Sequence, residues 1–217
     1  MTFRELRALI VIMKKLRGFT LVELMVVIAI AGLVLAFGMP ALSPFIQNGR
    51  ITTVTNDLIS ALYVARSEAI RMGSTGCVCP SNNPTAGADA TCNATDNWEM
   101  GWISFLDNST GNCTFDGGID GGGTDVLLKV WDGSSYSDKM TVRATNDNNS
   151  INAVDYVRFN SRGATLTSGG VMQQGVFNIC DSRGVADVNG KSVARGVQMT
   201  IAGSVKSTNR SSLITCP

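Results

Sequence analysis

The feature that most constrains this chain is an apolar stretch near its N-terminus. No charged side chain occurs from Leu24 through Gly49. As an α-helix, the residues from Leu21 to Pro40 would extend about 30 Å, which matches the hydrocarbon thickness of a bilayer. A basic cluster of Lys14, Lys15 and Arg17 precedes the stretch. By the positive-inside bias that end stays in the cytoplasm, so the sequence predicts one membrane span with the rest of the chain exported.

Two local features argue against a secretory signal peptide or an ordinary anchor. The stretch ends in Phe37-Gly38-Met39-Pro40, a poor site for signal peptidase, which needs small residues after the apolar core. Glu23 places a carboxylate two residues inside the stretch, where even lenient scales give a cost of at least about 2.5 kcal/mol. A charge in that position is expected to be functional and to have a partner.

The segment Gly18-Phe19-Thr20-Leu21-Val22-Glu23 resembles the signature of type IV pilins. The resemblance implies that a prepilin peptidase cuts between Gly18 and Phe19 and methylates the new N-terminal Phe19. It implies that Glu23 pairs with the N-terminal amine of a neighbouring subunit and that Pro40 kinks the helix. A buried carboxylate tolerates the bilayer best when an ammonium neutralises it during assembly, so the chemistry agrees with the resemblance.

The helical pattern continues beyond the apolar stretch and ends at a stop signal, Gly73. Shorter alternating segments with Gly and Asn turns follow, and they predict β-strands at 98–106, 126–131, 140–144, 156–160, 175–180, 196–201 and 204–206. Apolar or small residues recur in steps of three and four on one helix face: Ile51, Val54, Leu58, Ala61, Leu62, Ala65, Ala69 and Met72.

These patterns predict an α+β, pilin-like fold. A long N-terminal helix, membrane-spanning in its first half and amphipathic in its second, packs on an antiparallel sheet or sandwich. The expected organisation is a leader over 1–18, a transmembrane or filament-core helix over 19–45 and an exported globular domain over 46–217. Translation from Met13 gives a short basic leader of common pilin form, so we expect the true start at Met13 rather than Met1.

Segments of the expected domain resemble the GspH/FimT group of minor pilins and pseudopilins. These segments are 61–71, 98–107, 158–163 and 177–184. The resemblance implies a structural subunit at the tip of a type IV pilus or of a type II secretion pseudopilus. Its implied partners are other pilins, the prepilin peptidase and the bacterial inner membrane, with the domain in the periplasm. The leader and helix are common to both systems and do not distinguish them.

DNA binding in natural transformation is the alternative function. Members that bind DNA resemble one another in a Gly-Arg-x-Arg run, and the corresponding Gly203-Ser204-Val205-Lys206 has one basic residue instead of two. Residues 160–217 hold no Tyr or Trp for base stacking, and Phe177 is expected in the core. The alternative rests on a basic face that could neutralise phosphates, formed by Arg183, Lys191, Arg195, Lys206 and Arg210.

All six cysteines follow the apolar stretch, and an exported domain lies in an oxidising compartment, so disulfides are expected. Cys216 is the penultimate residue, and chain ends are mobile unless they are tied down. We therefore expect Cys216 to bond to Cys180 at the end of a predicted strand. The other four are expected to pair among themselves in an order that the sequence leaves open: Cys77, Cys79, Cys92 and Cys113.

No enzymatic chemistry is predicted, because a Ser or Cys nucleophile lacks its usual activator in a chain without His. A Gly-rich loop offers Asp116, Asp120 and Asp125 as candidate calcium ligands. Their spacing matches no EF-hand loop, and acidic Gly-rich loops are often only solvated. We expect no other cofactor or metal.

Overall fold

The computed structural model describes residues 18–93, 97–109, 111–117, 122–146, 155–166 and 174–217. The chain divides into two compact units, with the boundary between Ile46 and Gln47. The expected leader, with its alternative starts Met1 and Met13, lies outside the described residues except for Gly18.

Helix α1 runs over Leu21–Met72 and continues through Pro40 without interruption. The kink expected at Pro40 stays a prediction. At its C-terminal end Gly73 has a φ of 65°, and the N–H of Ser74 donates to the carbonyl oxygen of Ala69 at 3.1 Å. This is a Schellman cap, in which glycine takes the left-handed position that other residues reach at a cost.

In the described residues, ten strands form two antiparallel sheets. The first sheet has the order β3-β2-β1-β5-β6, with β1 at Thr75–Pro80, β2 at Gly101–Asp107, β3 at Val126–Asp132, β5 at Val157–Phe159 and β6 at Thr165–Leu166. The second has the order β10-β9-β7-β4, with β4 at Met140–Asn146, β7 at Gly175–Asp181, β9 at Lys191–Met199 and β10 at Val205–Arg210. The short β8 at Asp187–Val188 pairs with β9. The α+β fold class predicted from the sequence is confirmed.

The main core lies between the second half of α1 and one face of each sheet. The predicted helix stripe is buried from Ile51 to Ala69, and it packs with Trp102 and Phe159 of the first sheet and Phe177 and Val197 of the second. The prediction is wrong for Met72, which is 54% exposed, because the helix ends there and its cap turns the chain away.

Gly76 allows β1 to lie directly against α1. A β-carbon built at Gly76 would clash with the backbone carbonyl of Ala65 on the helix. Val78, the next residue on the same face of β1, is buried in the main core, whereas Cys77 and Cys79 belong to a second apolar cluster. Since strand side chains alternate between faces, the second cluster covers the face of the first sheet that points away from α1.

The structure corrects strand boundaries and adds elements to the predicted set. Residues 98–100 form a 3-10 turn rather than the start of a strand. Trp98 is buried there, edge-on to Phe177 at 4.8 Å between ring centroids, and Gly101 follows with a φ of 146° that separates the turn from β2. The strands β1, β6 and β8 were not predicted, and β9 begins at Lys191 rather than at 196.

Candidate assembly site

The start of α1 is fixed by Thr20. The Thr20 hydroxyl oxygen accepts the backbone N–H of Glu23 at 3.1 Å, and its carbonyl oxygen accepts the N–H of Leu24 at 3.1 Å. Thr20 is therefore the N-cap residue, and Glu23 occupies the third helical position of a capping-box spacing. This cap was not predicted, although Ser or Thr three residues before Glu is a recognisable capping-box signal.

Gly18 and Phe19 precede the cap in non-helical, exposed backbone. A β-carbon built at Gly18 meets no atom of the described chain within 4 Å. The fold of the described residues therefore does not require glycine at this position. A requirement for glycine must come from whatever binds the Gly18–Phe19 peptide bond.

The Glu23 side chain is exposed on the first turn of α1. Its carboxylate makes no hydrogen bond or ion pair with another residue in the part of the chain that the structure describes. The next charged residue along the sequence is Arg50. Within α1, Glu23 is thus a charge in an apolar surface without a neighbouring cation on the helix.

The apolar half of α1 exposes an apolar surface to solvent. By length and composition, Leu21–Gly38 is the stretch of the described helices that suits a membrane span, and none of it is buried within the protein. Val22, Val34 and Phe37 are 68%, 65% and 77% exposed. A continuous apolar helix surface of this kind is stable only in lipid or against other protein, so α1 anchors the chain in a membrane through one helix.

The five predicted cations do not form one surface. Arg183 is bound to Asp181 through its Nη2 at 2.6 Å and to Asn48 through its Nη1 at 2.9 Å. Lys191 and Arg210 are cross-strand partners, and alternation puts Arg195 on their face of β9. Lys206 pairs instead with Gln198, whose side chain belongs to the opposite face.

The carboxyl of Asp181 is held ionised by that contact. Burial acts to raise its pKa, but the side-chain and backbone hydrogen bonds from Arg183 outweigh burial and hold the pKa below its ordinary value. Arg183 is consequently committed to an ion pair with Asp181 at the end of β7 and to a hydrogen bond with Asn48 of α1.

Two of the three candidate calcium ligands are occupied by the loop itself. The buried Asp125 carboxylate accepts the backbone N–H groups of Asn108 and Asp116 at 2.9 and 3.1 Å. The Asp116 carboxylate in return accepts the N–H groups of Thr124 and Asp125. Burial raises the pKa of Asp125 against the lowering effect of its two N–H partners. Asp120 lies outside the described residues.

Three disulfides hold the C-terminal unit together. Cys77 bonds to Cys113 and Cys79 to Cys92, and both bonds lie in the second apolar cluster. Cys180 bonds to Cys216, with 5.8 Å between their Cα atoms. The last bond fixes residues 211–217 across the second sheet, where Ile214 is buried against Cys180 and Ala194.

Loss of the Cys180–Cys216 bond is expected to weaken the unit by up to about 4 kcal/mol, the chain-entropy value for a separation of 36 residues. Cys216→Ser should lower the free energy of unfolding by the loss of the bond, and Cys180→Ser by that amount or more, because Cys180 is buried. Denaturant titration of the full-length protein in detergent measures the loss. Peptide mapping without reductant should link Cys180 to Cys216, and a peptide joining Cys216 to any of the other four cysteines would contradict the pairing.

Comparisons with known proteins give two family matches and one similar solved protein. The family described as "Type II transport protein GspH" matches residues 54–204, and the "Prokaryotic N-terminal methylation motif" matches residues 13–39. No curated protein matches the chain. A crystal structure of the type IV minor pilin FimU from Pseudomonas aeruginosa is similar at 18% identity, over 77% of this chain and 94% of FimU, with a TM-score of 0.46. A second crystal form gives 17% identity, 74% and 94% coverage and a TM-score of 0.43.

The two family matches cover different parts of the molecule. The methylation motif includes Gly18, the Thr20 cap and the apolar half of α1. The GspH match begins at Val54 on the buried stripe of α1 and ends in the turn before β10, so it spans more than half of the chain. The protein therefore belongs to the GspH/FimT family of type IV pilin-like subunits, the minor pilins and pseudopilins, which are structural proteins that assemble with other pilins in a filament.

Proposed function

We propose that this protein is a minor pilin or pseudopilin that a prepilin peptidase cuts between Gly18 and Phe19. The mature subunit, with N-methylated Phe19, is anchored in the bacterial inner membrane with its C-terminal unit in the periplasm. It is then assembled at the tip of a type IV pilus or of a type II secretion pseudopilus. The observation that carries the proposal is the exposed Glu23 carboxylate on the capped, exposed apolar half of α1.

The free energies of placing the Glu23 carboxylate in a bilayer indicate that it requires a partner outside its own helix. The first turn of a helix stabilises a carboxylate by about 0.3–1 kcal/mol through its dipole and free N–H groups. A charge in the bilayer costs at least about 2.5 kcal/mol. The helix start therefore offsets less than half of that cost. An ammonium from the N-terminus of a neighbouring subunit would supply the remainder and would do so only on assembly.

The proposal is tested by expressing the full-length protein with a prepilin peptidase in cells that carry one filament system at a time. Membrane and sheared-filament fractions are separated, and the intact mass of the protein is measured in each. We expect a mass that begins at N-methylated Phe19 and recovery in filaments of one system. A mature mass that starts elsewhere, or absence from both filaments, would contradict the proposal.

DNA binding is the second candidate, and the cross-strand pair of Lys191 and Arg210 is the observation that supports it. Both side chains are exposed, and two adjacent cations can neutralise phosphates. Salt-dependent retention of the full-length protein on duplex DNA would distinguish this activity from a purely structural role, because retention without salt dependence excludes phosphate contacts.

A further inference from the structure

We infer that the second sheet carries a binding site for a small, neutral saccharide, separate from the assembly site. A cavity of about 320 Å³ lies beside the C-terminal tail. That volume is at the lower end of the range for ligand pockets, about 300–1,000 Å³, and suits one or two sugar units. Its polar lining consists of Thr145, Gln174, Gln198, Thr200, Ser212 and Thr215.

The floor of the cavity is built by strand register. Thr145 of β4 lies opposite Val176 of β7, and Val176 lies opposite Gln198 of β9. The three side chains therefore form one row across neighbouring strands. The residues adjacent to the row along each strand, Ala144, Phe177 and Val197, are buried in the main core against α1. Because strand side chains alternate between faces, the row lies on the face away from α1.

The wall of the cavity is the tail, and it is fixed in place. The backbone N–H of Thr215 donates to the side-chain oxygen of the buried Asn178 at 3.1 Å. Ile214, which precedes Thr215, is buried, and Cys216, which follows it, is bonded to Cys180. A wall held by a covalent bond loses little entropy when a ligand is bound, which favours affinity.

The chemistry of the lining selects an uncharged ligand. No charged side chain is among the described residues that line the cavity, so these residues offer no counter-charge to a carboxylate or phosphate, which would lose water on binding. The side chains of Gln198, Ser212 and Thr215 make no hydrogen bond to another described residue. An amide and two hydroxyls can each donate and accept hydrogen bonds, as the hydroxyl groups of a sugar do.

A short peptide fits this position less well. Peptides commonly bind a sheet by adding a strand to a free edge, where unpaired N–H and C=O groups are available. The cavity lies instead on the face of three strands that are already paired with one another. Its partners are therefore side chains, which suit a ligand whose polar groups radiate from a ring.

The test uses the full-length protein in a zwitterionic detergent that carries no sugar. Saturation-transfer difference NMR is recorded with neutral hexoses, N-acetylhexosamines and their disaccharides, and with hexuronates and uncharged dipeptides as competing classes. We expect at least one neutral saccharide to bind. Gln198→Leu and, independently, Ser212→Ala should weaken that binding about tenfold or more, the effect of losing one or more hydrogen bonds.

The matched control is Asn56→Leu, which replaces an exposed amide on the solvent face of α1 and should leave both binding and the unfolding midpoint unchanged. Unfolding midpoints of all variants should equal that of the parent protein. Three results would overturn the inference: no neutral saccharide binds, only hexuronates or dipeptides bind, or Gln198→Leu and Ser212→Ala bind the saccharide as tightly as the parent.

Discussion

Gly18→Lys is expected to leave the protein in the membrane as an uncut precursor. A peptidase that binds the Gly18–Phe19 bond in a narrow site admits no long, charged side chain, and the family signature has glycine at this position. A β-carbon at Gly18 meets nothing in the described structure, so the substitution has no folding cost that could explain the loss. Intact mass of the membrane fraction should show the full precursor and no species beginning at Phe19.

A matched control for this variant is Gly49→Lys. Gly49 is an exposed glycine of α1, and a β-carbon there also meets nothing within 4 Å. Because it lies far along the chain from the cleaved bond, Gly49→Lys should be cut as completely as the parent protein. Normal cutting of Gly18→Lys would show that glycine is not recognised, and failure of both variants would point to a general effect of added charge.

Glu23→Ala is expected to remove the protein from filaments while leaving membrane insertion and leader cleavage intact. The variant makes the helix more apolar, so insertion becomes easier. The Thr20 cap uses the backbone N–H of residue 23, which alanine retains. In the filament, however, the neighbouring amine would lose its counter-charge, and removal of one partner of a buried pair costs about 3–5 kcal/mol. Incorporation should fall by more than about a hundredfold.

Glu23→Gln separates charge from shape. It keeps the size and the hydrogen-bonding atoms of the side chain but cannot neutralise an ammonium, so it should be lost from sheared filaments as severely as Glu23→Ala. Both variants should yield the same N-methylated start at Phe19 as the parent protein. Normal amounts of either variant in filaments would exclude the electrostatic role of Glu23.

Helix α1 could be predicted from sequence because its signals are local. Apolar residues recur at helical spacing from Ile51 to Ala69, and Gly73 ends the pattern within one residue of the observed boundary. The signals of β3 and β7 are similarly local, because each is a short, largely apolar segment between Gly-containing turns. β1 gives no such signal, because its six residues neither alternate in polarity nor stand apart from the end of α1.

The candidate sites also differ in whether their residues are close together in the sequence. Gly18, Phe19 and Glu23 lie within six residues, so a short signature identifies them. The sequence left the pairing of four cysteines open, because it depends on where the chain returns after the long connections that follow β1 and β2. The row of Thr145, Val176 and Gln198 requires the register of three strands, which no pattern along the chain contains.

The positions of Cys77 and Cys79 also set a kinetic problem for the newly exported chain. The two thiols lie on one face of β1, about 7 Å apart along the strand, so before the sheet forms each can react with Cys92 or with Cys113. Closing the 13-residue span from Cys79 is favoured over a 36-residue span by only about 0.9 kcal/mol of loop entropy. The mispaired loop from Cys77 to Cys92 is two residues longer than the native loop from Cys79 to Cys92, so loop entropy scarcely discriminates against it.

The native bonds are favoured once β1 is buried between its neighbouring strands. Mispaired disulfides are then converted to native ones by thiolate attack. Correct maturation therefore requires a compartment that allows disulfides to exchange as well as to form.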